Sequence, residues 1–180
     1  MVKLALLRHA KSSWEDSFLN DFARPLADRG LKAAPLMGAY IAAERLRPDF
    51  ILCSTARRTR ETLALVLPHL GPPPPTVVFE DGLYLASVTD LMARLHKIAP
   101  QRRTVLMIGH NPGFHDLALA LVGEADPAFH AVLAVNFPTA ALAVFDFKTT
   151  DWSTIKPQTG HLTHFATPSY LKRSFFGMTN

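Results

Sequence analysis

Short apolar runs rich in branched residues alternate along the chain with longer stretches whose apolar positions recur three and four residues apart. The runs Lys3–Leu7, Asp49–Cys53, Thr76–Phe79, Thr104–Ile108 and Leu142–Phe147 predict β-strands, with a weaker one at Leu162–Phe165. A helix is predicted over Leu31–Arg45, where Leu31, Ala34, Gly38 and Ile41 share a face and Pro35 requires an early turn or a kink. Arg60–Leu67 predicts a second helix, ended by Pro68, and Thr89–Ile98 a third, with Leu91, Leu95 and Ile98 on one face. A fourth follows His110-Asn111-Pro112, since proline suits a first helical turn and Leu117, Ala120 and Leu121 turn inward. This βαβα rhythm predicts an α/β protein with a mostly parallel sheet.

Gly71-Pro72-Pro73-Pro74-Pro75 fits a stiff loop between a helix and a strand better than a linker. With no repeat or boundary, the expectation is one domain over residues 1–180, in which 167–180 form a peripheral tail. Asp16–Asp28 lacks periodicity and is expected to be a loop beside the end of the first strand.

At 180 residues, 48% apolar and 19% charged, the chain has the balance of a globular domain, not of a disordered one. No window approaches the roughly 18 apolar residues of a membrane helix, so no membrane association is expected. Val2–Leu7 is too short for a signal peptide and runs directly into Arg8-His9, as expected of a first strand in a cytoplasmic protein. The single cysteine, Cys53, lies in an apolar run and excludes an internal disulfide or a cysteine-rich zinc module. The net charge of +4 suits an anionic ligand, but the basic residues are dispersed and show no stripe for nucleic acid.

Three predicted strands end in polar residues suited to one phosphoryl group: Arg8-His9, Ser54 followed by Arg57-Arg58, and Gly109-His110-Asn111. In an open parallel sheet, ligands bind at that carboxyl edge. Other histidines are expected to be structural or solvated. A guanidinium presents paired donors that match phosphate oxygens, so one of Arg57, Arg58 and Arg60 is expected to bind phosphate. A cysteine phosphatase would place an arginine six positions after its nucleophile, but six after Cys53 is Thr59. Neither a P-loop nor a Gly-x-Gly-x-x-Gly fingerprint is present. The remaining natural nucleophile is an imidazole.

Leu6-Leu7-Arg8-His9-Ala10-Lys11-Ser12 resembles the Arg-His-Gly signature of the histidine phosphatase (phosphoglycerate-mutase-like) superfamily, with Ala10 in place of glycine. Ser54–Thr62 resembles its Ser-x-x-x-Arg-Ala-x-x-Thr block, and Ile108–Gly113 the block of the second histidine. Arg24–Gly30 and Phe137-Pro138-Thr139 are most similar to SixA-type phosphohistidine phosphatases. The resemblance implies a single-domain three-layer α/β/α sandwich of phosphoglycerate-mutase-like fold. It also implies that His9 attacks phosphorus while Arg8, Arg58 and His110 hold the non-bridging oxygens, after which water releases inorganic phosphate. No metal or cofactor is implied.

Relatives that act on esters carry a phosphate-binding asparagine six positions after the nucleophile. Here that residue is Glu15, leaving Ser12, with Asn111, as further phosphate ligands. For the acid that protonates an ester's leaving oxygen, the nearest candidates are Glu80 and Asp81. The leading expectation is hydrolysis of phosphohistidine on a protein such as a histidine phosphotransfer domain. A phosphomonoesterase acting on a sugar phosphate or nucleotide is the alternative, followed by a non-catalytic phosphate-binding module. Substrate choice is expected to lie in the loops Asp16–Arg24 and Phe137–Ala140.

Overall fold

A computed structural model describes residues 1–176. Its strands are β1 (Val2–Arg8), β2 (Phe50–Ser54), β3 (Thr76–Glu80), β4 (Thr104–Gly109), β5 (Val122–Ala125), β6 (Leu142–Phe147) and β7 (Gly160–Ala166). The helices are α1 (Asp28–Ala43), α2 (Arg57–Val66), α3 (Val88–His96), α4 (Gly113–Leu121), α5 (Pro127–Val135) and α6 (Pro168–Phe176). The strands form one sheet in the order β3-β2-β4-β1-β6-β7-β5, and only β6 runs against the others. The expected three-layer α/β sandwich around a mostly parallel sheet is therefore the fold.

Both faces of the sheet are covered, so its central strands read as continuous apolar runs. In β1, Leu4 and Leu6 pack with Leu91 and Leu95 of α3 and Leu117 and Leu121 of α4. Ala5 and Leu7 face the opposite core, built with Met37 and Ile41 of α1 and Leu63 and Val66 of α2.

The differences from the predicted elements have local causes. Helix α1 begins at Asp28 and α2 at Arg57, each three residues earlier than expected, because their first turns are polar and carry no apolar periodicity. Pro35 lies well inside α1, where its ring removes one helical N–H without ending the helix. Strand β5 is only four residues long, and α5 is apolar around much of its circumference, with Val132 and Val135 exposed. Neither has a period to read. Part of the expected tail forms α6, whose Leu171 is buried in the core beside α1. Residues 177–180 of that tail lie outside the described residues.

Strand order and register bring the predicted polar ends together. Arg8 lies opposite Gly109, and Cys53 opposite Ile108, so Ser54, His9 and His110 follow at one carboxyl edge. After β1 the winding runs outward through β2 to β3, then returns to insert β4 between β2 and β1. That reversal opens the crevice in which α/β proteins bind ligands.

Close approach of α1 to the loop after β1 fixes this edge. The Ala27 amide donates to the Lys11 carbonyl at 2.8 Å, and a methyl group on Gly30 would lie 2.2 Å from that same oxygen. Backbone on both sides leaves little room for adjustment. Gly30→Ala is therefore expected to cost about 1–3 kcal/mol of stability, as other overpacked sites do. A urea midpoint equal to wild type would contradict this account of the packing.

Candidate active site

His9 follows β1 and is 6% exposed. Its Nδ1 lies 2.7 Å from the carbonyl oxygen of Ala10. A carbonyl only accepts, so Nδ1 carries the proton and donates, leaving Nε2 as the free lone pair of a neutral ring. The Ala10 amide in turn donates to Thr62 Oγ1 at 3.0 Å, while the His9 amide donates to the Gly109 carbonyl at 3.1 Å. The loop is thus held from both β4 and α2.

His110, at the end of β4, is fixed in the complementary sense. Arg58 Nη2 lies 3.2 Å from its Nδ1 and can only donate, so Nδ1 accepts. The proton then sits on Nε2, which donates to Ser54 Oγ at 2.7 Å. The two imidazoles lie 5.3 Å apart between centroids. Burial lowers the His9 pKa to about 3; the positive fields of His110, Arg58 and Arg8 act in the same direction, and the Ala10 hydrogen bond opposes them. Burial, then Arg58, lowers His110 to about 3 as well, against the pull of Asp21.

Both rings border a cavity of about 330 Å³ that Arg8, Ser12, Arg24, Arg58 and Asn111 also line. Arg58 is buried at the start of α2, whereas Arg57 pairs with Glu61 at 2.8 Å and Arg60 stacks over Phe79; both are exposed. Arg8 Nη1 donates to the Phe137 carbonyl at 3.1 Å, and Asn111 Nδ2 donates to that oxygen at 2.9 Å. Buried Ser12 accepts from Arg24 Nη2.

Glu80 and Asp81 do not line the cavity. Glu80 is held by Arg94 through contacts of 2.6–2.9 Å, and Asp81 accepts from Thr55 Oγ1 at 2.6 Å. Their position at the end of β3 carries them away from the rings, one strand beyond β2.

Asp21, Arg24 and Tyr84 form a network that the residue pattern did not assign to the site. Asp21 sits in a single 3-10 turn, Asp21–Ala23, within the segment lacking periodicity. Its carboxylate accepts from Arg24 Nη1 and Arg58 Nη2, both at 3.0 Å, and from the Tyr84 hydroxyl. Its carbonyl accepts from Arg58 Nη1 at 2.7 Å. Partial burial pulls the Asp21 pKa upward, but Tyr84, Arg58 and Arg24 hold it below the usual carboxylate range. Arg24 also stacks on Trp14, 3.3 Å from the ring centroid. Three arginines with one carboxylate around two neutral imidazoles fit a phosphoryl group.

Residues 4–84 match the profile of the histidine phosphatase superfamily (branch 1). An uncharacterized protein of Mycobacterium tuberculosis is 33% identical over 164 residues, which cover 90% of this chain and 99% of that one. A crystal structure of SixA from Agrobacterium tumefaciens, assigned as a phosphohistidine phosphatase, is 30% identical, with a TM-score of 0.78 over 93% of this chain and 98% of that one. SixA from Nakamurella multipartitia, similarly assigned, is 29% identical with the same TM-score, over 93% and 96% of the two chains. The chain belongs to the histidine phosphatase superfamily. Within it, the chain is of the SixA type.

The neutral rings have a consequence for stability. In the unfolded chain both histidines bind protons near pH 6.5, whereas folded they bind them only near pH 3. Their contribution is complete above about pH 6.5 and is lost progressively as pH falls toward 3. His9→Asn is expected to flatten the decline in urea-unfolding free energy between pH 7 and 5 by up to one proton's worth of slope. Parallel wild-type and variant curves would contradict the neutral assignment.

Proposed function

We propose that this phosphatase hydrolyses phosphohistidine on a protein, through a covalent phosphohistidine on His9, within one domain that spans the chain. The observation that carries the proposal is the His9 tautomer: Nδ1–H held by Ala10 and a free lone pair on Nε2 beside the arginines. Nε2 attacks phosphorus, a new P–N bond forms, and the bond to the substrate imidazole breaks. Arg8 and Arg58 neutralise the non-bridging oxygens in the transition state. His110 contributes a third donor once phosphate arrives and its Nδ1 is protonated, its Nε2–H remaining on Ser54. Water then attacks phosphorus, the bond to Nε2 breaks, and inorganic phosphate leaves.

Placement of the carboxylates supports a P–N substrate. An alkoxide leaving group needs an acid, but Glu80 and Asp81 are engaged away from the cavity, and Asp21, which lines it, is held ionised by Tyr84, Arg58 and Arg24. A phosphohistidine protonated on its other ring nitrogen leaves as neutral imidazole and needs no such acid. The SixA assignment of the Agrobacterium and Nakamurella relatives agrees with this reading.

Phosphate release from a phosphohistidine protein, set beside a panel of phosphate esters, tests the proposal. Preferential P–N cleavage is expected, abolished in His9→Ala, lowered about 10²–10³-fold in Arg58→Ala by analogy with loss of an oxyanion donor, and retained in Glu80→Ala and Asp81→Ala. Preference for esters, with activity lost in Asp81→Ala or Glu80→Ala, would instead establish a metabolic phosphomonoesterase. Retained phosphate affinity without any turnover would establish a binding module.

A further inference from the structure

Beside the phosphate cavity lies a second one, of about 240 Å³, lined by cations from three separate elements: Lys11 after β1, Arg29 on α1 and Lys172 on α6. The hydroxyls of Thr139, Thr167 and Ser169 complete its polar lining, and no carboxylate is among the lining residues. Among the described residues, none of the three cations takes part in an ion pair. Asp28 precedes Arg29 but does not line the cavity. Thr167 caps α6, accepting from the Tyr170 amide at 3.2 Å, which fixes the helix carrying Lys172.

Lys11 and Thr139 line both cavities, so the two share a wall. Only Ala10 separates Lys11 from His9, which keeps their Cα atoms within about 7 Å of each other. Contact between α1 and the Lys11 backbone brings Arg29 to the same wall. Like-charged side chains gathered without a counter-charge destabilise one another, and an incoming anion relieves that repulsion.

We infer that this second cavity is a specificity subsite for another anionic group on the same substrate molecule as the phosphoryl group. The group is a carboxylate flanking phosphohistidine, or a second phosphate on a small metabolite. The carboxylate alternative rests on the proposed function. Because Arg29 and Lys172 do not line the phosphate cavity, they raise affinity without changing the chemical step.

Four substrates test the inference: one phosphohistidine peptide with flanking Glu, the same peptide with Gln, and a hexose monophosphate beside its bisphosphate. The combined variant R29A/K172A is compared with wild type. Both positions are exposed, and matching thermal melts check that the variant is folded. The KM for the Glu peptide is expected to rise about five- to tenfold with kcat unchanged, while the Gln peptide is unaffected. A rise confined to the bisphosphate identifies the second phosphate of a small metabolite as the group. An unchanged KM for both doubly anionic substrates, or an equal rise for the neutral peptide and the monophosphate, would overturn the subsite. Wild type that cleaves only esters sinks the phosphohistidine reading but leaves the inference testable on the hexose pair. Affinities of the same four ligands for His9→Ala read the comparison without turnover.

Discussion

The site depends on a hydrogen bond between neighbours in sequence, from His9 Nδ1–H to the Ala10 carbonyl. An imidazole has two nitrogens of similar basicity, and an exposed ring exchanges its proton between them. Here the acceptor is a backbone atom that cannot change its own protonation state, so one tautomer is imposed. The loop that presents this carbonyl is held by the Ala10 amide on Thr62 and by Lys11 against α1. Parallel register with β4 sets its height at the sheet edge. Fold and the proposed nucleophile are therefore connected through a few backbone contacts.

Charge is the second constraint. Arg8, Arg24 and Arg58 converge around two buried rings, and the fields of Arg8 and Arg58 add to burial in keeping both rings neutral. Asp21 offsets part of that charge by joining Arg58 to Arg24, with Tyr84 as a further donor. An incoming phosphoryl group supplies the negative charge that three guanidinium groups favour. It also favours protonation of His110 Nδ1, which in the present arrangement accepts from Arg58. In the proposed mechanism, substrate arrival thus changes both the partner and the proton state of one ring.

Much of this was legible because it lies on regular elements. Strand-end positions placed Arg8, His9, Ser54 and His110 at one edge, and the parallel register confirms that convergence. The early starts of α1 and α2 were hidden because polar first turns carry no apolar period. Asp21 and Arg24 were hidden for a different reason: their segment is ordered by the Ser12–Leu26 bridge and by long-range contacts to Arg58, not by a repeating pattern. Tyr84 joins them from beyond β3. No spacing rule relates these three residues, because their proximity exists only after the sheet has formed.

The most direct measurement is the chemical identity of the phosphoenzyme. Rapid acid-free quenching during turnover, followed by ³¹P–¹⁵N NMR of the histidine-labelled protein, distinguishes phosphate on either ring nitrogen. The account predicts one phosphohistidine, on His9, with phosphorus bonded to Nε2. Phosphate on Nδ1, or on His110, would contradict it, because Nδ1 of His9 is the nitrogen whose proton the Ala10 carbonyl holds.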